Sequence, residues 1–519
     1  MFKNQETYQT MNVQKSIKLA HTSSVLISVI INALLVLALV TFITFSEGME
    51  PDVSKVMVID PATQEDIDDL EEELEPEEVV DPDELNELVD FTIDTPMETD
   101  FEQQPEEVAD VSNTDMTSLS DLMSDVSSPV VMTGLLVGRT PKARQAAAAK
   151  YGRGLEKYSE PAVLKSLEWL RDHQQSNGSW NEKGTASGGS SAGYTGLALL
   201  AFLAHGETPA SADFGEAVAK GIRFLVENQD SKGLFQPVGH HTVYGHAMAT
   251  YALAEAYTMT DNMLLREPLE RGVNVIMKGQ MPNGGYDYEY KIETRNDISA
   301  GAWHVQALKA SSIALPDHPE IKKYFQKAMD GMLLGSKRND NGERPFYYVV
   351  TNAGKLDSRG PRMIISSAGT LGLHLAGRAK SKEARESIKF IEKFADTDHL
   401  PRWGNMETLT KDEHGGEIML WYYTVQAFFQ EDPNGKNFTR YMAAMVKALA
   451  QNQASDGHWD CYSVKGKARG PVFNTTLGAL GLMVYYRYLP TTQADNIQQA
   501  DALVDPGSGE EDGDVGFDI

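Results

Sequence analysis

The sequence predicts an all-α chain. It reads as one α6/α6 toroid of six helical hairpins, joined to a single transmembrane helix by a disordered acidic linker. Three observations carry this. A tag, Gln-x-x-x-Gly-x-aromatic, recurs at intervals of about 50 to 60 residues across 158–490. Each tag lies between an amphipathic stretch and a stretch that is apolar nearly all round. Near the start, a long uncharged apolar run is followed by a block of acids.

Val25 to Phe45 is that run: 21 residues with no charge and one amide, Asn32. A helix needs about 20 apolar residues to cross a bilayer core. No small-residue cleavage site follows, so the run predicts an uncleaved anchor at 25–45. Lys3, Lys15 and Lys18 precede it, and only Lys55 follows before Arg139. That bias predicts a cytoplasmic segment 1–24 and an extracytoplasmic, periplasmic toroid.

The 519 residues carry a formal net charge of −29, concentrated at the two flanks. Glu47 to Asp125 holds 29 acids and one lysine, and eight acids with no base follow Pro490. The remainder is mildly positive. Whole-chain nucleic-acid binding is thereby excluded, since phosphate neutralisation needs an excess of Lys and Arg. Residues 46–131 are too acidic and Pro-interrupted to bury a core, so a disordered tether is expected, with a similar tail at 491–519. The tether is a solvated spacer or a docking strip for a basic partner, its own positive toroid included. Residues 132–157 form a basic, helix-favouring connection. Cys461 stands alone, which excludes an intramolecular disulfide and any zinc site built on two thiolates.

The tags are Gln174-Gly178-Trp180, Gln229-Gly233-Phe235, Gln280-Gly284-Tyr286 and Gln453-Gly457-Trp459. Two worn copies lie between the third and the last, at Asn341-Gly342-Glu343-Arg344-Pro345-Phe346 and Leu400-Pro401-Arg402-Trp403. Pro161 to His173 sets Val163, Leu167 and Leu170 on one face. Ser159 is the expected N-cap and Pro161 sits in the expected first turn. Amphipathic counterparts fall near 213–228, 263–279, 318–335, 381–394 and 437–452. The buried-type partners run near 191–205, 243–258, 298–313, 363–377, 417–430 and 472–487. Amphipathic helices outside and apolar helices inside make two concentric rings. The tag residues are expected to be structural, Gly for a tight turn and Gln and the aromatic as ties.

These tags resemble the QW repeats of squalene–hopene cyclases. The hairpin ring also resembles protein prenyltransferase β subunits and complement-like thioester domains. Val243-Tyr244-Gly245-His246-Ala247-Met248, Asp297-Ile298-Ser299-Ala300-Gly301-Ala302-Trp303 and Val484-Tyr485-Tyr486-Arg487-Tyr488-Leu489-Pro490 look like bacterial prenyltransferase/squalene oxidase repeat proteins, of the anchored kind found in planctomycetes. The resemblance covers about residues 138–490 and implies the toroid, but no settled activity. Each relative's catalytic set lacks a required residue here. Asp66-Ile67-Asp68-Asp69 matches a cyclase acid motif, yet lies in the tether, where no dry cavity raises its pKa. Cys461-Tyr462-Ser463 is not a thioester Cys-Gly-Glu-Gln. Asp460-Cys461 resembles a prenyltransferase zinc pair without its spacer, and no His follows His458.

Loops entering the inner helices should form the functional mouth. His240, His241 and His246 could hold zinc if His241 and His246 converge with a carboxylate; otherwise they and Tyr244 are polar ligand contacts, and no cofactor is expected. Tyr286, Asp287, Tyr288, Glu289, Tyr290, Arg295 and Asp297, with Trp303 and His304 below, gather acids, a cation and aromatics at one place. Asp297 is an N-cap, or else a general acid or base with His304 one to two turns deeper. Cys461, between Asp460 and Tyr462, is a candidate nucleophile or a small buried hydrophobe. Aromatics at Phe346-Tyr347-Tyr348 and Trp421-Tyr422-Tyr423 either line an isoprenoid cavity or pack. The sequence therefore favours a membrane-tethered binding module for an envelope protein, isoprenoid or glycan. A divergent isoprenoid cyclase or prenyltransferase, and an envelope polysaccharide lyase or hydrolase using Asp287, Glu289 or Asp297, remain as alternatives.

Overall fold

The computed structural model describes residues 139–181, 191–235, 242–291, 295–396, 400–404, 418–460 and 464–487. The expected membrane span at 25–45, the tether and the acidic tail lie outside them. Among the described residues no helix is long and apolar enough to cross a membrane. Among the described residues, fourteen α-helices account for nearly all the regular structure: α1 Pro141–Gly152, α2 Glu156–Asp172, α3 Ser191–His205, α4 Gly215–Glu227, α5 Thr242–Thr260, α6 Arg266–Lys278, α7 Ile298–Ala314, α8 Ile321–Leu333, α9 Met363–Leu375, α10 Lys382–Asp396, α11 Ile418–Glu431, α12 Lys436–Ala450, α13 Val464–Leu482 and α14 Val484–Arg487.

Odd-numbered helices from α3 to α13 form the inner ring. Each packs on the next, and α13 packs back on α3, so the ring closes. Even-numbered helices from α2 to α12 form the outer layer, each against a neighbouring inner helix. Composition explains the split. In α3, every residue from Ala192 to His205 is buried, as suits a helix without a polar face. In α4, Ala217, Val218, Gly221, Ile222 and Leu225 face inward while Lys220 and Glu216 pair at the surface. Strict alternation of outer and inner helices sets all six inner N-termini at one end, the mouth, and their C-termini at the other.

The tag ties each outer helix to the next. Gln174 Nε2 donates to its own Gly178 carbonyl at 3.1 Å and to the Ala217 carbonyl of α4 at 2.9 Å. Gln229 does the same to Gly233 and to Pro268 of α6, and Gln280 reaches the Tyr324 carbonyl of α8. Gln453 bonds Gly457 and then Ala162 of α2, 291 residues away, closing the outer ring. Gly178 and Gly457 have φ of 85° and 103°. A Cβ on Gly178 would stand 2.3 Å from the Lys220 carbonyl oxygen, and one on Gly457 2.2 Å from that of Lys165. Trp180 and Trp459 are fully buried and donate from Nε1 to the Leu170 and Leu449 carbonyls.

The worn fourth copy uses charge instead. Ser336 stands opposite Phe346 as Gln229 stands opposite Phe235. The tie to the next outer helix passes to Arg338 and Arg344, which bond the two oxygens of Glu386 on α10 at 2.8 and 3.0 Å.

Three expectations need correction. Helix α2 starts at Glu156 rather than at Ser159, which is buried inside it and bonded to the Tyr485 hydroxyl. Pro161 thus lies in the helix body. The last inner helix is longer and broken: Gly470, at φ 82° and ψ 171°, kinks it before Pro471, and α14 follows separately. The structure is not purely helical, because Arg295–Asp297 (β1) and Val349–Thr351 (β2) pair antiparallel at the mouth. The basic, helix-favouring connection forms α1, capped by Thr140, and packs on α14.

Candidate functional site

At the far end and through the middle, the lumen is filled. Arg139, wholly buried, reaches in from the start of α1. Its guanidinium donates to both oxygens of Glu255 on α5, at 2.8 and 3.1 Å, and to the Leu203 carbonyl in the last turn of α3. Its Nε donates to the Arg487 carbonyl. Cations at helix C-termini complement the negative end of the macrodipole. From α14, Arg487 donates to the hydroxyls of Tyr251 on α5 and Tyr422 on α11, at 2.9 and 3.1 Å. Helices α5 and α11 sit on opposite sides of the ring, so this bridge crosses it. Tyr422 also donates to Gln306 of α7, and Trp303 of α7 stacks on Tyr422 at 6.0 Å. Side chains from non-adjacent inner helices touch only where the lumen between them is occupied.

The mouth is built differently. Asp297 caps α7: its Oδ1 accepts from the Ala300 N–H at 3.1 Å and from the Ser299 hydroxyl at 2.6 Å. Tyr244, in the first turn of α5, meets Ser299 Oγ at 2.6 Å and donates to Asp297 at 3.4 Å. The other carboxylate oxygen faces the Arg295 guanidinium at 3.8 Å. Burial pushes the Asp297 carboxyl above its ordinary range, against the Ser299, Ala300, Arg295 and Tyr288 groups that favour its charge. The hydroxyls of Tyr288 and Tyr348 meet at 3.2 Å. Arg295 lies over the Tyr288 ring at 4.5 Å, and Arg359 over the Tyr348 ring at 6.0 Å. Across the mouth, Arg469 lies over Phe473, and its carbonyl accepts from the Tyr194 hydroxyl. The structure thus unites Asp297, Tyr244 and Tyr288, and adds Ser299, Tyr348 and Arg359.

Of the four candidate histidines, His246 and His304 lie among the described residues, and both are internal ties. His304 Nδ1 donates to the Ala300 carbonyl at 2.8 Å, leaving Nε2 to accept from the Tyr290 hydroxyl at 3.0 Å. Its ring stacks on Tyr286 with centroids 3.8 Å apart. Tyr290 is held at φ 57°, a left-handed conformation unusual for an aromatic residue. His246 Nε2 donates to the Gly272 carbonyl, and its Nδ1 faces the Phe235 N–H. That places His246 where Thr195 and Thr475 receive the backbone N–H of Trp180 and Trp459. Burial drives the His304 pKa down to about 3 and that of His246 to about 4. Both imidazoles are therefore neutral, with each nitrogen engaged inside the protein.

Asp287 caps its own turn, accepting from the Glu289 and Lys291 N–H groups. Glu289 pairs with Lys291. Asp460 is exposed and faces His458 Nε2 at 3.4 Å. His240, His241, Cys461 and Tyr462 lie outside the described residues. Among the described residues no group of His, Cys, Asp and Glu is arranged to hold a metal ion. Sequence reasoning passed over Arg139, Glu255 and the part played by Arg487. The signal was there: Glu255 is a carboxylate inside an otherwise apolar helix, where a buried charge needs a partner.

The family model for the squalene-hopene cyclase C-terminal domain matches residues 148–263. A squalene–hopene cyclase of Bradyrhizobium diazoefficiens is 30% identical over 111 residues, 20% of this chain and 16% of that protein. One of Zymomonas mobilis subsp. mobilis is 36% identical over 84 residues, 14% of this chain and 12% of that protein. The ring is a squalene cyclase-like α/α toroid. The chain spans less than a fifth of the length of these curated relatives. Among solved structures, an α-1,6-mannanase of Salegentibacter sp. HEL1_6 aligns at 10% identity and TM-score 0.47, over 63% of this chain and 98% of that one. A D-mannose isomerase aligns at 13% and 0.48, over 64% and 97%.

Proposed function

We propose that this protein is a membrane-tethered, extracytoplasmic toroid that binds a ligand or protein partner at its mouth and carries out no terpene chemistry. One observation carries the reading. The lumen holds the bridge Tyr251–Arg487–Tyr422, with Trp303 and Gln306 beside it and the Arg139–Glu255 pair beyond. A polyprenyl chain needs an open apolar channel, and placing it here would strip two guanidinium groups of their partners. The mouth, by contrast, presents half-buried tyrosines with their hydroxyls turned to one another. The tether and compartment rest on the apolar run at 25–45 and its lysine bias.

The test is turnover. Full-length protein is incubated with squalene and with prenyl diphosphates, and the products are followed by mass spectrometry. No product above the no-protein background is expected. A product abolished by Asp297→Asn would overturn the proposal.

A second reading draws on Asp297 alone: its buried, raised-pKa carboxyl beside Tyr244 and Tyr288 suits a general acid of an envelope polysaccharide hydrolase. Reducing-sugar release from envelope glycans, lost in Asp297→Asn, is its signature.

A further inference from the structure

The sector of the mouth between α5 and α9 has acids and bases in equal supply in its sequence, yet not on its surface. Asp287 and Asp297 are buried, and the Asp357 side chain is only 7% exposed. Each is used internally: Asp287 and Asp297 cap backbone N–H groups, and Asp357 accepts from Arg359 at both oxygens, Nε to Oδ1 and a terminal nitrogen to Oδ2. The bases stand outside them. Arg295 and Arg359 are 45% and 55% exposed, and Lys291 and Lys355 are exposed too. Among the described residues of this sector, Glu289 is the exposed acid, and it already pairs with Lys291. Arg469 adds a cation across the mouth. The N-terminal ends of six inner helices also converge here, and their dipoles favour negative charge. Two of the arginines lie on tyrosine rings, which fixes their guanidinium planes in advance.

The same chain contains the complement. Residues 81–125 carry 15 acids and no Lys or Arg. Their last acid, Asp125, is 14 residues before Arg139. A 14-residue length of chain spans roughly 20 Å as a coil and up to about 50 Å when extended. The ring, about 30 Å deep along the 19 residues of α5, is within that reach. Covalent attachment puts such a segment at an effective concentration on the order of mM.

We infer that the Arg295–Arg359–Tyr288–Tyr348 rim is a docking surface for carboxylate-rich polypeptide, and that residues 81–125 of this chain are its occupant. The inference rests on the mouth being the recognition face. Docking covers that face until an external partner displaces the acidic segment.

The experiment is zero-length carbodiimide cross-linking of the full-length protein, with peptide mapping. Cross-links from Lys291 and Lys355 to acids within 81–125 are expected at low salt. Their yield should fall at least about fivefold at high salt, where screening shortens to about 3 Å. Arg295→Ala combined with Arg359→Ala leaves both lysines in place and should lower the yield similarly, with an unchanged melting temperature as the folding control. Mixing isotope-labelled and unlabelled chains separates docking within a chain from docking between copies; either supports the inference. The inference is overturned if the acids cross-link instead to Lys150 and Lys157 near the far end, or if the yield ignores salt and the arginine pair. A mouth that binds an added partner without ever cross-linking to 81–125 would sink this inference and leave the binding function standing.

Discussion

The two ends of the ring face opposite poles of the same six parallel helices, and they are finished in opposite ways. Towards the far end, arginines are brought into the lumen from outside the hairpins, and Arg139 meets the Leu203 carbonyl in the last turn of α3. Arg139, from before the first hairpin, and Arg487, from after the last, are both buried, and the Arg139 Nε bonds the Arg487 carbonyl. At the mouth, Asp297 is spent on capping α7 and Asp287 on capping its own turn, while Arg295, Arg359 and, at the N-cap of α9, Arg362 stand outside them. Sealing buries two guanidinium groups, Arg139 on the Glu255 carboxylate and Arg487 on two tyrosine hydroxyls. Recognition needs half-exposed groups that tolerate rearrangement. The far end is therefore expected to determine stability, and the mouth is where the proposed binding falls.

The largest effect should come from breaking the seal. Glu255→Ala leaves Arg139 buried without its carboxylate and should cost about 3–5 kcal/mol, read by chemical denaturation. The double replacement Arg139→Met with Glu255→Leu should recover most of that loss. A single variant costing under about 1 kcal/mol would mean that the pair is hydrated and that the two ends are less different than described.

Next come the tags that tie one outer helix to the next. Gly457→Ala forces a Cβ onto the Lys165 carbonyl at a left-handed φ, and should cost at least about 1–2 kcal/mol. Gln453→Ala removes the bond to Ala162 that closes the outer ring and the bond to Gly457 within its own turn, and about 1 kcal/mol should go with each. Equal melting temperatures for wild type and both variants would show that the ring does not depend on its tags.

The smallest stability effect is expected at the mouth. Tyr288→Phe and Arg295→Ala should each change stability by less than about 0.5 kcal/mol, while altering ligand or peptide binding. Acid sharpens the contrast differently. His304 and His246 have folded pKa values of about 3 and about 4, below the unfolded value near 6.5. Their contribution is complete above pH 6.5 and is lost as pH falls towards 4, because the unfolded chain takes up the protons first. Raised carboxyls at Asp297 and Glu160 act in the other direction, favouring the fold at low pH and losing that contribution as pH rises through their folded values. Thermal melts from pH 7 to pH 5 should show a falling midpoint, and His304→Asn should flatten the slope.

Most of the ring could be read from the residues. Helical spacing and the recurring tag are local signals, and four of the six copies keep their Gln, so number and order of hairpins follow. The fourth copy was harder, since its tie changed chemistry from one Gln to Arg338, Arg344 and Glu386, which no local pattern links. Asp297 was legible as both cap and candidate because it precedes an apolar helix beside tyrosines. His304 and His246 were read as chemistry, whereas the structure uses them as ties, because a histidine's spacing does not tell whether carbonyls await its nitrogens. The far-end seal joins residues 116 and 348 positions apart. Such contacts leave no periodic trace, and only the lone acid in α5 hinted at them.

The central claim, a closed lumen with binding left to the mouth, is tested most directly by native mass spectrometry of the full-length protein released gently from its own membranes. The account predicts a ring free of isoprenoid, whose co-purifying mass, if any, is a partner lost on Arg295→Ala. A polyprenyl or squalene-like molecule held one to one, retained by Arg295→Ala and released only on unfolding, would contradict it.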